Sequence, residues 1–258
     1  MKTIKIDLSS DLKKLEIVTF ADVHYGDKLC DVDLLKERIE YVKNTPYAYC
    51  ILNGDLMNNS TKNSVGDVYS EQLTPTEQII QLAELFEPIK DKIICLDTGN
   101  HEFRSWKWDG IDLTKMLAIQ LGIEDKYANE SALIFLRFGN LGPKGNNRKV
   151  PYSIFVTHGS GGGRKEGAKA IRLADMASIV DADIYIHSHT HLPMVMKQAF
   201  HRVDLRSSTV SLVPKLFVNT AAMLNYGGYG EAAEFKPASK ANPHIFLDGK
   251  VKKFKALL

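Results

Sequence analysis

Residues 92–102 read KIICLDTGNHE. A short apolar run rich in β-branched residues leads into Asp97, and a glycine turn follows at Gly99 with Asn100, His101 and Glu102 behind it. Such a run, continuous rather than alternating, is the pattern of a strand covered on both faces. The polar residues then stand at the strand's carboxyl end, which is where layered α/β sheets gather their ligands.

The same arrangement recurs along the chain. LEIVTF (15–20) is followed by Asp22-Val23-His24, and AYCIL (48–52) by Asn53-Gly54-Asp55. YSIFVT (152–157) is followed by His158, and IYIH (184–187) by Ser188-His189-Thr190-His191. ALIFLRF (132–138) is a further strand without such an ending. Segments with apolar residues at helical spacing lie between them, at 31–43, 75–86, 111–121 and 165–179. The second begins Thr74-Pro75 with Glu77 three residues after Thr74, the signature of a capping box with proline in the first turn. Strand–helix alternation of this kind defines an α/β layered domain. Beyond Pro193 the helices stop, and 195–203, 209–218 and 244–255 read as strands that add antiparallel pairs to the same core. With no repeat, linker or shift in composition, residues 1–258 read as one domain.

Composition narrows the function. The 33 basic and 31 acidic residues leave a formal charge of +2, so no global electrostatic pull toward nucleic acid or an anionic membrane is expected. The three cysteines, Cys30, Cys50 and Cys95, have no C-x-x-C spacing, which speaks against a disulfide framework or a thiolate zinc site and for a reducing, cytoplasmic setting. No apolar run is long enough to span a bilayer, and the N-terminus lacks the apolar core of a signal peptide. Nothing in the pattern speaks to oligomeric state.

Carboxylate, carboxamide and imidazole are ligands of intermediate hardness, suited to manganese, iron or zinc. Asp22-x-His24 and His189-x-His191 would each present two side chains on one face of an extended backbone. Asp22, His24, Asp55, Asn100, His158, His189 and His191 are too many for one tetrahedral ion. They suit two ions sharing a carboxylate, a pair that clamps the attacking and leaving oxygens of a phosphoryl displacement.

This ordered set resembles the calcineurin-like metallophosphoesterase family, whose pattern is Asp-x-His, Gly-Asp, Gly-Asn-His-Asp/Glu, His and Gly-His-x-His. The matching pieces are Asp22-x-His24, Gly54-Asp55, Gly99-Asn100-His101-Glu102, His158 and Ser188-His189-x-His191, with serine where the family usually has glycine. The resemblance implies a four-layer αββα sandwich. It also implies one divalent ion on Asp22, His24 and His191, a second on Asn100, His158 and His189, and Asp55 bridging them. Manganese is the first choice of metal, with iron, zinc or nickel as alternatives. His101 would be the catalytic histidine and Glu102 its acidic neighbour, orienting it. The flanking strings GDLMNNSTKNSVGDVY, GNHEFRSWKWDGIDL and THGSGGGRKEGAKA resemble phage and prophage members of the family.

The expected activity is hydrolysis of a phosphoester, small molecule or nucleotide, with diesters favoured over monoesters. The alternatives are a nuclease acting on nucleic-acid phosphodiesters and a non-catalytic scaffold that keeps the fold. The complete ligand set and His101 count against the scaffold. The near-neutral charge, without a basic-aromatic cluster, counts against a nucleic-acid module. The glycine-rich run at 159–163 fits neither G-x-x-x-x-G-K-S/T nor G-x-G-x-x-G. It begins at His158 and carries Arg164, six residues or at most about 20 Å away. The planar donors of arginine match phosphate oxygens, so Arg164 is a candidate substrate contact. His187 reads as a structural neighbour of the ligands, Asn53 as a strand-end residue bonding to backbone, and Trp106 and Trp108 as packing or wall residues.

Overall fold

The computed structural model describes residues 1–62, 64, 68–142 and 148–258. Part of the string GDLMNNSTKNSVGDVY, residues 63 and 65–67, therefore lies outside the described residues. The strands are β1 (Lys2–Asp7), β2 (Lys14–Phe20), β3 (Ala48–Asn53), β4 (Ile93–Asp97), β5 (Tyr127–Ala128), β6 (Ser131–Phe138), β7 (Val150–Thr157), β8 (Ile184–His187), β9 (Met194–Asp204), β10 (Thr209–Asn219), β11 (His244–Asp248) and β12 (Phe254–Leu257). The helices are α1 (Val32–Asn44), α2 (Pro75–Phe86), α3 (Asn100–Asp109), α4 (Leu113–Leu121), α5 (Glu166–Ile179) and the single turn α6 (Gly228–Ala232).

Two six-stranded mixed sheets form, in the orders β1-β6-β7-β8-β10-β9 and β12-β11-β2-β3-β4-β5. Period-two alternation sorts each strand's side chains into two layers. In β2, Leu15 and Ile17 face the other sheet, meeting Ile134, Ile154, Ile186 and Val218 in the central core. Val18 and Phe20 point the other way, onto Leu35 and Ile39 of α1, Leu82 and Phe86 of α2, and Leu117 of α4. On the far side, Phe155, Tyr185 and Phe217 pack on Leu173 and Met176 of α5. The layers are thus helices, sheet, sheet, helix, as expected of an αββα sandwich.

The capping box at α2 is present, with Thr74 Oγ1 accepting from Glu77 N at 3.3 Å and Glu77 Oε2 accepting from Thr74 N at 2.8 Å. Two elements differ from the sequence expectation. The chain end adds antiparallel pairs to the core as expected, β9 with β10 and β11 with both β12 and β2, but β10 also runs parallel to β8. The segment after Gly99 is a helix, α3, absent from the helical stretches read in the sequence. It buries only Glu102 and Ser105, leaving Phe103, Trp106 and Trp108 exposed, so it has no apolar stripe to announce it. The tryptophans are therefore surface residues; Trp106 edges an open recess of about 490 Å³ against Met116, Ile119 and Tyr127 that holds none of the candidate ligands.

The three cysteines are free, with Cys50 and Cys95 buried and Cys30 half-buried. Burial pushes the Cys30 thiol up to about 12 and raises the other two as well. Only a thiolate alkylates readily. Native protein treated with iodoacetamide at pH 8 should therefore stay unlabelled at all three cysteines over minutes, while denatured protein takes up three labels by mass spectrometry. Fast native labelling of Cys30 would contradict the packing around it.

Candidate metal centre

The candidate ligands leave the strands on sharply bent backbone. Asp22, His24, Asp55, His189 and His191 all have positive φ, between 49° and 64°. For residues other than glycine this region is uncommon, though Asp, Asn and His tolerate it best, and each instance costs on the order of 1–3 kcal/mol. The extended backbone assumed for Asp22-x-His24 and His189-x-His191 is therefore replaced by a left-handed residue at each ligand, which turns both side chains of a pair inward. Main-chain bonds hold the bends: Asp22 N to Gly54 O at 3.1 Å, His24 N to Asp55 O at 3.0 Å, and Met223 N to Asp22 O at 3.0 Å. Asp22 Oδ2 in turn accepts from His189 N at 3.1 Å, joining the two histidine-bearing loops.

Glycine is required where these loops touch. A Cβ on Gly99 would sit 2.1 Å from Asp55 N and Oδ1. One on Gly54, whose φ is +72°, would sit 2.6 Å from His158 Nδ1. Ser188, in the usual glycine position, needs no such freedom, since its φ is not positive. Its buried hydroxyl accepts from Asn53 Nδ2 at 2.6 Å and Thr220 Oγ1 at 2.8 Å, so the serine ties two strand ends together.

The side chains converge in overlapping trios. Ligand atoms of Asp22, His24 and His191 lie within 4.8 Å of one another, as do those of Asp55, His158 and His189. Asn100 Oδ1 joins the second trio, 3.2 Å from His158 Nε2 and 2.7 Å from His189 Nδ1. A third trio brings His101 against His24 and Asp55. Asp55 therefore belongs to two trios. Its Oδ1 accepts from His101 N at 2.8 Å, and its Oδ2 faces His158 Nε2 at 3.3 Å.

The donor set fits divalent cations on two counts. His24 Nε2 is fully buried and makes no hydrogen bond, an expensive state for a protein atom unless something else engages it, and Asp22 Oδ1, equally buried, faces only fellow candidate ligands, with His191 Nε2 at 3.1 Å. Four imidazoles, two carboxylates and a carboxamide crowd together at separations that ligands around a shared ion adopt.

Electrostatics point the same way. Burial would raise both aspartates, but His191 holds Asp22 below the usual carboxylate range, and His158 and His101 hold Asp55 well below it. Burial lowers His24 well under the ordinary histidine value, with His101 adding to the effect, so its ring is neutral and ready to ligate. Burial opposes the charging of His158, yet Asp55 and Asp22 raise it; a cation binding there must displace that proton.

Around the trios stand residues with supporting contacts. His101 Nδ1 lies 2.7 Å from Asn58 O, so a loop carbonyl orients the ring. Glu102 does not touch that ring. Its Oε2 accepts from Asp55 N at 3.1 Å and Gly99 N at 3.0 Å, and its Oε1 from Met57 N at 2.9 Å. His187 Nδ1 pairs with Asn219 Oδ1 at 2.8 Å, and Asn53 Nδ2 donates to Thr157 O at 3.1 Å, both in structural positions. Arg164 is exposed, its guanidinium 5.2 Å over the Phe235 ring. The sequence reading passed over Asp97, which accepts from His158 N at 3.0 Å and whose carboxyl burial pushes up to about 7. It also passed over Asn59, whose Nδ2 donates to His101 O at 2.7 Å. Asp97 could have been noticed as one more acidic strand end.

The sequence model of the calcineurin-like phosphoesterase family matches residues 15–193, and the chain belongs to that family. It is accordingly a hydrolase of phosphoester bonds with candidate His/Asp metal sites. Similar solved structures include a conserved protein from Streptococcus pneumoniae TIGR4 described as a predicted phosphoesterase (16% identity, 95% of this chain, 89% of that chain, TM-score 0.41). Two others are Pseudomonas putida nuclease MPE (13%, 93% and 87%, TM-score 0.39) and Entamoeba histolytica Vps29 complexed with zinc (12%, 94% and 98%, TM-score 0.41). No curated protein matches the chain. No helix among the described residues is long and apolar enough to cross a membrane.

Proposed function

We propose that this protein is a phosphodiesterase with a dinuclear metal centre, bridged by Asp55 and loaded by preference with manganese. Asp22, His24 and His191 would hold one ion, and Asn100, His158 and His189 the other. The observation that carries this reading is the place of Asp55 between the two ligand groups: it joins His158 and His189 in one trio and meets His24, a member of the Asp22–His24–His191 trio, in another, with one oxygen fixed by the His101 main chain and the other turned to His158. Residues 1–258 act as one domain, since the inter-sheet core draws on residues from Ile4 to Phe254.

Divalent ions held there would activate a water for attack and take up charge on the phosphoryl oxygens. The chain's own residues do the rest. The Asn58 carbonyl keeps the proton on His101 Nδ1 and leaves Nε2 toward the site, where protonated His101 would pass a proton to the leaving oxygen. Glu102 fixes the main chain of Asp55 and Gly99, setting the bridging carboxylate. Arg164, exposed on the loop that leaves His158, would meet the substrate's phosphate.

The test is a panel of phosphodiesters and monoesters assayed with manganese, nickel, zinc and magnesium, alongside elemental analysis of bound metal. A higher kcat/KM for diesters and two ions per chain are expected. A monoester preference would overturn the diester assignment, and one ion in fully active protein the dinuclear one. His101→Ala should keep its metal and lose roughly 10²–10⁴-fold in kcat on alkyl leaving groups. With nitrophenolate, which leaves unprotonated, the loss should be smaller; equal losses would assign His101 to charge stabilisation instead.

A further inference from the structure

Arg104 lies one helical turn beyond His101 on α3, on the same face. Its Nη1 is 3.3 Å from Asn58 O, and that same carbonyl oxygen is 2.7 Å from His101 Nδ1. A carbonyl only accepts, so both groups donate to it, one to each lone pair, and the ring proton sits on Nδ1. His101 Nε2 is then left toward the site, 3.8 Å from Asp55 Oδ2 and with the His24 ring edge-on at 4.3 Å between centroids.

Asn58 is a loop residue whose N–H donates to Tyr25 O at 3.0 Å, while the N–H of Asn59, in the same peptide plane as the Asn58 carbonyl, donates to Gln78 Oε1 at 3.1 Å. Its side chain is tied away from the site, Nδ2 donating to Glu71 Oε2 at 2.9 Å and Ser60 Oγ at 3.1 Å. Asn59 Nδ2 binds the main chain of His101 rather than its ring. Those bonds hold the N–H side of the peptide unit, and on its carbonyl side Arg104 is the cation that completes the set. A charged donor strengthens the bond it makes, here a long one at 3.3 Å, and is costly to leave unpaired in this half-buried place beside Asp55 and Glu102. Arg104 also donates from Nη1 to Ser64 Oγ at 3.2 Å, pinning a second point of the same loop to α3.

We propose that Arg104 is a positioning residue for His101: by holding the Asn58 carbonyl it fixes the ring's orientation and its Nδ1–H tautomer. This rests on the reading of His101 as the group that serves the leaving oxygen. It separates two roles that adjacent residues of one helix turn perform, proton delivery at His101 and aim at Arg104.

The experiment compares Arg104→Ala, Arg104→Lys, His101→Gln and the double variant His101→Gln/Arg104→Ala. Readouts are kcat, KM, bound metal, melting temperature and the tautomer of the His101 ring by long-range nitrogen–proton NMR in zinc-loaded, diamagnetic protein. The His101 signals are identified by their loss in His101→Gln. The wild type should show a single Nδ1–H tautomer, and Arg104→Ala an averaged one. Arg104→Ala should lower kcat about 10- to 100-fold, as small misplacements of catalytic groups do, with KM and bound metal within roughly twofold. Arg104→Lys keeps a cationic donor and should recover most of that loss. In the His101→Gln background Arg104→Ala should cost almost nothing further, because the two act as a unit. A rise in KM with unchanged kcat would make Arg104 a substrate contact and overturn the proposal, as would additive losses, metal loss, or an unchanged tautomer. If wild-type protein turns over no phosphoester, the reading of His101 fails by itself, and the tautomer comparison alone decides whether Arg104 positions the ring.

Discussion

Asp55→Asn should strip bound metal and lower kcat by on the order of 10³-fold or more, equivalent to roughly 4 kcal/mol of barrier. The substitution is nearly isosteric, and the retained amide oxygen can still accept from His101 N, where Asp55 Oδ1 does so at 2.8 Å. The local turn should therefore survive, and a melting curve close to wild type is the control. What changes is Oδ2, which faces His158 Nε2 at 3.3 Å. An amide NH2 there removes the negative charge shared by two trios and turns a donor toward the cation positions. In the proposed dinuclear centre a bridging charge would serve both ions, so both should weaken together. Elemental analysis after gel filtration should fall from two ions per chain toward one or none. Retention of two ions with kcat within tenfold of wild type would remove Asp55 from the bridging position. By contrast, His191→Ala should weaken one ion first, because His191 belongs to a single trio.

How much of this was readable beforehand follows from what kind of contact each residue makes. Asp22, Asp55, His158, His189 and His191 were legible because side-chain chemistry and strand-end position are both written in the sequence. The route by which they converge was not. Positive φ at Asp22 and His24 goes with main-chain bonds to Gly54, Asp55 and Met223, and at His189 with the bond of its N–H to the Asp22 carboxylate, all made across loops distant in sequence. Glu102, Asp97 and Asn58 were misjudged or missed for a related reason: each works on main-chain or ring N–H groups whose direction exists only once the loops are folded. Glu102 looked like the partner of its neighbour His101, yet successive helix residues point about 100° apart, and it turns instead to the backbone of Asp55. The late strands were legible as strands from composition, but parallel pairing of β10 with β8 is a matter of topology that local pattern does not encode.

Glu102→Ala should be the most destabilising single change near the site. The carboxylate is only 2% exposed and accepts three main-chain hydrogen bonds, from Asp55 N, Met57 N and Gly99 N. Truncation leaves three donors facing a small cavity. Each unsatisfied buried donor costs about 1–3 kcal/mol, so a total of about 4 kcal/mol is expected once a water enters to satisfy part of the set. For a chain of this size that corresponds to a fall of roughly 8–16 °C in melting temperature. Glu102→Gln should rescue only part of it. Its carbonyl can replace Oε1 toward Met57 N, but its NH2 would then meet the N–H groups of Asp55 and Gly99, donor against donor. Glu102→Asp keeps both acceptors and falls one methylene short, so it should lie between the two. Metal affinity should follow the same order, weakening about 10- to 100-fold in Glu102→Ala, because the main chain that carries Asp55 is no longer held. Thermal melts and metal titrations of the three variants check the ranking. A Glu102→Ala protein melting within 2 °C of wild type, with unchanged metal affinity, would mean that water alone satisfies the loop and that Glu102 does not set the position of Asp55.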